Sequence, residues 1–346
     1  DEILLLQYLK KKKLGITIVP INYKFLDRKN LLRRIKDFVW RLAWPWRWDG
    51  AAFEYAEPEI QKAMKEALKN FRPDIVWFDY TYLWPLYKSV KQAKIPIITR
   101  SINFEPNHFL DEEGRKLFNY FKLLPKLFSE FMVCRKSDVI LAVTPHEVEI
   151  YKKLGARKAK VLPLRGLPNC LEWRHKVKES KILNIFFAGS TYNVSHNLAA
   201  LKFIIKELAP RAQALWPGEF KFHILGRKFP DALREYLNHY IIYHDYLPED
   251  EYLLLLSEMD VALAPSLYGA GMQQKIFEPL TRGFPTITSA RGLAGYKFEN
   301  GENVLLANSV VEYIECLKLV KSFDFRRKIS EAAKKASAEM FSLKNI

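Results

Sequence analysis

The stretch "GAGMQQKIFEPLTRGFPTITSARG", Gly269–Gly292, decides how this chain is read. Just before it, "DVALAPS" is an apolar run of strand length, as in a strand buried on both faces. Within it, "MQQKIFEPLTRG" has helical period, with Met272, Ile276 and Leu280 at i, i+4 and i+8. The turn "LYGAG" therefore lies between the carboxyl end of a strand and the start of a helix. Unpaired N–H groups at such a start, together with the helix dipole, make an anion site. Glycine lets a phosphate approach the backbone. Lys275, in the first turn, can reach the same anion. Glu278 follows three residues on, on the same face, and can accept both hydroxyls of a ribose. The stretch thus reads as a nucleoside-diphosphate site. A plain structural turn, with Lys275 and Glu278 as an i,i+3 pair, stays open. Gly283 closes the helix, and "FPTITSA" is the next buried strand.

Strand and helix patterns alternate on either side. "ITIVPI", "PDIVWFDY", "IPIITRS", "SDVILAVT" and "AKVLPL" read as strands of a first half, and "EILLLQYLKKKKLG" and "EPEIQKAMKEALKNF" as helices. The glycine, proline and charges of "RGLPNCLEWRHKVKESK" interrupt the alternation. It restarts with the strand "ILNIFFAG", the long helix "SHNLAALKFIIKELAPRAQAL", the strand "FKFHILGR" and the helix of "YLPEDEYLLLLSEM". "GENVLLA" and two closing helices follow the quoted stretch. The expected fold is α/β: two Rossmann-like doubly wound domains facing across a cleft. The expected boundaries are residues 1–168, a linker 169–182, and 183–346, with the last helix free to pack back on the first domain.

Among 346 residues, 55 Lys and Arg against 39 Asp and Glu give a net charge of +16. That implies an anionic partner without naming it. Cys134, Cys170 and Cys316 lie far apart, so neither zinc nor a disulfide framework is expected, and a reducing cytoplasm is the plain reading. No run is long and apolar enough for a transmembrane helix, and the opening residues do not read as a leader. Asp1 in place of Met suggests a missing natural beginning.

The quoted stretch, extended to "YKFENGENVLLA", resembles the donor segment of the family-four, group 1 glycosyltransferases of the GT-B fold. Their pattern there is Gly-x-Gly, Lys-Ile-x-Glu, then Gly-x-Pro and a strand. "FFAGSTYNVSHNLAALKFI", "FHILGR", "YLPEDEYLLLLSEMDVALAPS" and "ILAVTPHEVEIYKKLG" resemble further family segments in the same order. The resemblance implies sugar transfer from a nucleoside-diphosphate sugar, with retention of configuration and without a bound metal or other cofactor. It gives Glu278 the ribose. Lys275, Arg227 and the Gly271–Met272 amides take the diphosphate, and Gly189–Ser190 the facing wall. Arg100, Asn103 and Glu105 become candidate catalytic residues beside a glycan or lipid-linked acceptor.

The sequence departs from the family in three places. Ala270 stands where many members carry a second glutamate, and Ile102 where the related pattern Arg-x-His-Asn-x-Glu has its histidine, with His108 nearby. The first strand and its glycine-rich loop are not found. A degenerate, sugar-nucleotide-binding or scaffold subunit is therefore the alternative.

"KFLDRKNLLRRIKDFVWRLAWPWRW", Lys24–Trp48, carries eight Lys or Arg, two Asp and six aromatics. Leu31, Leu32, Ile35, Phe38, Val39 and Leu42 share one helical face, with Arg33, Arg34, Lys36 and Arg41 mostly opposite. This suits an anionic membrane surface, with Trp44, Trp46 and Trp48 at headgroup level, or a helix packed on its own sheet. No nucleic-acid module accompanies it, so no nucleic-acid partner is expected. The expected location is cytoplasmic, peripheral on the inner face of the membrane, in polysaccharide biosynthesis. His196 and Ser195–Asn197 read as a helix start, His223 as a core or rim residue, and Asp111–Glu113 as surface charges near the acceptor side.

Overall fold

The structure, a computed structural model, describes residues 16–17, 31–43, 49–268 and 271–345. The opening helix, most of "ITIVPI", the flanks of the basic helix with Trp44, Trp46 and Trp48, and Gly269 and Ala270 lie outside these residues. The chain forms two compact units, Asp1–Val76 with Tyr82–Ile97, and Trp77–Thr81 with Ile98–Ile346.

In the first unit, the helix Pro58–Phe71 starts with proline at its first position and ends at left-handed Arg72. Gln61 Nε2 donates to Tyr55 O and Pro85 O at 2.9 and 3.2 Å, tying this helix to its neighbours. The helix Leu31–Ala43 leaves Leu31, Leu32, Ile35, Phe38, Val39 and Leu42 exposed.

A four-stranded sheet has the order β1-β2-β3-β4, with β1 Val76–Phe78, β2 Ile97–Ser101, β3 Val139–Ala142 and β4 Ala159–Val161. β2–β3 and β3–β4 pair in parallel. A six-stranded sheet in the second unit has the order β10-β9-β8-β5-β6-β7. Its strands are β5 Leu183–Thr191, β6 Phe220–Arg227, β7 Ile241–His244, β8 Val261–Ala264, β9 Thr286–Thr288 and β10 Leu305–Leu306, all parallel. Alternation along β5 sends Ile185 and Phe187 to one core, with Ile204 and Leu317, and Phe186 to the other, with Leu256 and Phe284. Both faces are thus covered, which is why these strands read as unbroken apolar runs.

Three details differ from the expected elements. The long helix is α-helical over Ser195–Phe203 and Ala209–Leu215, with a π-helical turn at Ile204–Leu208 between. Pro210 lacks the N–H that would continue the ladder, and Ala209 N–H reaches back to Ile204 O. β7 went unread because "IIYH" is short and only Ile241 is fully buried. The helix after the quoted turn begins at Gln274, not Met272, and Gln273 Nε2 turns back to Ser266 Oγ at 3.0 Å. Gly283 ends it at φ 81° as expected.

The closing helix Phe323–Phe341 packs on Gln274–Arg282. Ser330 Oγ and Ser337 Oγ donate to Gly283 O and Leu280 O at 2.6 and 3.1 Å. Its Phe341 joins a cluster that also takes in Val143, Val161 and Leu164.

Candidate functional site

The six-stranded sheet starts at its centre with β5. The chain builds β6 and β7 on one side, then crosses to β8, β9 and β10 on the other. The order therefore reverses between β5 and β8, and the crevice beyond their carboxyl ends is where such sheets bind ligands. Gly189 and Ser190 end β5, the turn leading to Met272 follows β8, and Arg227 ends β6.

Lys275 points into this crevice. Its Nζ donates to Asn197 Oδ1 at 2.9 Å and lies 5.6 Å from the Phe187 ring centre. Asn197 is fixed in turn by donating to Thr191 O at 3.1 Å. No side-chain cap bond forms at this helix start, where Val194 precedes Ser195. Burial lowers the Lys275 pKa to about 8. A cation so poorly solvated is ready to exchange Asn197 for an anion. Beside it, His196 is lowered to about 4, first by burial and then by Lys275 and His108, so it is neutral at pH 7.

Glu278 lies one turn on, but its carboxylate is engaged. Oε1 accepts from Arg282 Nε and Oε2 from Gln274 Nε2, each at 3.1 Å. The Glu278 and Arg282 side chains are 13% and 9% exposed. Tyr252 also hydrogen-bonds Glu278. The exposed Gln274 bond is the one a ribose hydroxyl can replace.

The glycines divide by purpose. Gly271 has φ 77°, and a Cβ there would overlap Asn103 Oδ1. Gly189 serves packing instead: a Cβ would come within 2.5 Å of the Tyr192 ring, whose hydroxyl donates to Leu225 O at 2.7 Å. Ser190 is exposed at φ 52°. Met272 is buried beside Ile276. Arg227 is exposed and stacks 3.8 Å over Tyr246. Tyr246 was missed because the strand before it, β7, was missed.

Arg100 is buried at the end of β2, where its Nη1 donates to Asp79 Oδ1 at 3.1 Å. Asp79 also takes Arg165 at 2.8 Å. Arg100 is thus held inside the first sheet rather than presented to a substrate. Glu105 is buried as well, in a group of carboxylates that the sequence reading missed. Glu130 Oε1 accepts from Thr81 Oγ1 at 3.1 Å and from the Glu105 amide at 3.4 Å, while Tyr151 Oη lies 2.8 Å from Glu130 Oε2. Burial, then the Glu105 charge, raises Glu130 to about 8. Burial raises Glu147 to about 7, although the Phe104 amide donates to its Oε1 at 2.8 Å. "TPHE", a capping-box pattern with Thr144 accepting from the Glu147 amide, was the available signal for Glu147. Glu130 shares a helix face with buried Val133 and Cys134, which was the signal for its burial.

Of these groups, Glu147 lines a cavity of about 440 Å³. Asn107, Asp111, Arg115, His146 and Glu147 line one side, and Gly271 and Arg291 the other. Arg291 Nη2 donates to Asp111 Oδ2 at 3.3 Å across it. Glu147 Oε2 is buried without a hydrogen-bond partner at its wall. Asp111, read as a surface charge, is thus a wall residue. Among the described residues no three His, Cys, Asp or Glu side chains gather to hold a metal ion. Cys134, Cys170 and Cys316 are free and buried, and Cys170 Sγ donates to Gly166 O at 3.4 Å.

Residues 183–320 match the family model described as glycosyl transferases group 1. Over these residues the chain is similar to the group 1 glycosyltransferases. A glycosyltransferase from Rickettsia africae is similar in structure, at 16% identity and TM-score 0.61, over 99% of this chain and 84% of that one. Sucrose-phosphate synthase from Thermosynechococcus elongatus is similar at 13% identity and TM-score 0.59, over 83% and 74%. Anabaena HepE, in complex with UDP and glucose, is similar at 14% identity and TM-score 0.56, over 82% and 77%. At these identities the likeness is one of fold, and it agrees with the expected two parallel-sheet GT-B architecture. No protein of curated function matches the sequence.

Proposed function

We propose that this glycosyltransferase moves a sugar, with retention of configuration, from a nucleoside-diphosphate sugar to a hydroxyl of a glycan or lipid-linked acceptor. The observation that carries the reading is desolvated Lys275 at the switch point, one turn before Glu278. In this reading Lys275, Arg227 and the Gly271–Met272 amides hold the diphosphate, beside Gly189 and Ser190, and Glu278 holds the ribose. Stabilising the departing diphosphate is the main electrostatic task, and these cations and amides perform it without a bound metal or other cofactor. The acceptor enters the cavity beside Gly271, and Asn103 stands between acceptor and donor. Arg100 and Glu105, both buried, position the Asn103 loop rather than touch substrate.

The proposed setting is the cytoplasmic face of a membrane, in glycan assembly. The helix Leu31–Ala43 supports it: Leu31, Leu32, Ile35, Phe38, Val39 and Leu42 are all exposed, as are Arg34 and Lys36. No helix among the described residues is long and apolar enough to cross a membrane. A second reading, a nucleotide-sugar-binding subunit without turnover, draws on Ile102 in place of a histidine and on Arg100 being engaged by Asp79.

Binding and slow hydrolysis of a panel of nucleoside-diphosphate sugars by the chain and by Glu278→Ala is the test. One donor hydrolysed by the chain and spared by the variant is expected. Tight binding with no turnover, with glycan and lipid acceptors present, selects the second reading.

A further inference from the structure

The helix Leu117–Lys136 carries an apolar face that nothing in the described structure covers. Leu117, Phe118, Phe121 and Leu124 are 79%, 68%, 64% and 62% exposed, and Tyr120 and Phe131 are exposed beside them. Their spacing is that of one helix face, widened at its first turn. The opposite side of the same helix is a core side, with Asn119, Pro125, Ser129, Glu130, Val133 and Cys134 buried. The helix is therefore anchored on one side and bare on the other, with four large apolar side chains in water within eight residues. Such a patch on a folded chain marks an interaction surface.

Its charge selects the partner. From Gly114 to Ser129 the chain has Arg115, Lys116, Lys122 and Lys126 and no Asp or Glu. Lys122 Nζ lies 5.0 Å over the exposed Phe118 ring and Lys126 Nζ 5.3 Å over the half-buried Phe109 ring, so ammonium groups stand beside the apolar face. Apolar side chains flanked by cations of one sign suit a bilayer whose headgroups are anionic: rings enter the acyl boundary while cations meet phosphates. A second copy of the same face would set like charges against each other.

The position adds an argument. Arg115, two residues before Leu117, lines the cavity, and so does Asp111 on the preceding helix Glu105–Glu113. The exposed face thus begins where the cavity opens. We infer that Leu117–Lys126 docks the protein on an anionic lipid surface, so that a lipid-linked acceptor can lay its chain along this face while its polar head reaches the cavity. The acceptor clause rests on the proposed transferase function; the docking itself does not. It is also separate from the helix Leu31–Ala43.

The test is co-sedimentation of the full chain with vesicles of phosphatidylcholine alone and of phosphatidylcholine with 30% phosphatidylglycerol (roughly, the anionic content of a charged leaflet). The chain is compared with a Phe118→Glu, Phe121→Glu double variant. Both positions are exposed and outside the donor site, so donor hydrolysis in detergent-free buffer stays unchanged and reports folding. The expected result is binding to anionic vesicles only, weakened by salt and reduced about tenfold or more in the double variant. Wild-type binding by the variant would assign lipid contact to Leu31–Ala43 and overturn this inference. Absence of vesicle binding by the wild type would overturn it, as would an apolar face consumed in a dimer by sedimentation analysis. Loss of donor hydrolysis in every protein, with vesicle binding intact, would sink the transferase reading and leave the docking surface standing.

Discussion

The side-chain oxygen of Asn103 fills the space that a Cβ on Gly271 would need. One residue follows β2 of the first sheet, and the other lies in the turn after β8 of the second. The turn after β8 is therefore shaped by the first sheet's loop, and a single methyl group disturbs both. Gly271→Ala adds that overlap to a left-handed φ of 77°, a conformation that costs an L-residue about 1–2 kcal/mol. The expected outcome is a melting temperature lower by a few degrees and donor binding lost beyond what the stability change explains. Adding Asn103→Ala relieves the overlap but not the backbone strain, so stability returns only in part.

Lys275 supplies a pH dependence. It is a cation below its pKa of about 8 and neutral above it. If it holds the diphosphate, kcat/KM for the donor falls as pH rises through about 8. Lys275→Arg stays charged, so that fall disappears from its profile. Lys275→Met lowers kcat/KM by ~100-fold, the scale for removing one charge-stabilising group. A profile for Lys275→Arg that matches the wild type would remove Lys275 from this role.

Glu278 carries two duties that separate experimentally. Glu278→Ala abolishes ribose recognition and also strands the nearly buried Arg282 guanidinium, at a stability cost of ~3 kcal/mol. Glu278→Gln keeps a hydrogen-bond acceptor for Arg282 and restores much of the stability. Calorimetry with a nucleoside diphosphate should show both variants weakened by at least tenfold. Equal affinity in the Gln variant and the wild type would show that the carboxylate acts on Arg282 alone.

Glu130 sits at the root of a hydrogen-bonded line. Tyr151 Oη lies 2.8 Å from both Glu130 Oε2 and Ser101 Oγ, and Ser101 Oγ donates to Asn103 O at 2.9 Å. With its pKa raised to about 8, Glu130 is protonated at neutral pH and can donate along this line. A raised carboxyl pKa stabilises the fold fully below the unfolded value, near 4.5. That stability is lost as pH rises through about 8. The melting temperature should therefore fall between about pH 4.5 and 8 and level off above that, and Glu130→Gln, which mimics the protonated acid, should flatten that slope. A slope unchanged in the variant assigns the pH dependence elsewhere.

Most of the fold was legible because parallel strands covered on both faces are unbroken apolar runs, and eight of the ten strands among the described residues fall in runs read as strands. β7 escaped because three of its four residues are only half-buried. The proposed donor side was legible for a related reason. Its residues are local: a turn, Lys275 and Glu278 within one helix start.

The proposed acceptor side was not local. Asp79 reaches Arg100 over 21 residues, Thr81 reaches Glu130 over 49, and Asp111 meets Arg291 over 180. Spacing along the chain carries no signal for pairs so distant, so Arg100 and Glu105 read as candidate catalysts and Glu130 not at all. The sequence by itself determined the parallel sheets and the helix start that follows the glycine turn, since both follow from periodicity and local backbone chemistry. Only the tertiary structure decided which charges are neutralised inside the first sheet, which glycine serves packing, and which helix face stays in water. Those outcomes depend on burial, and burial is set by the whole fold.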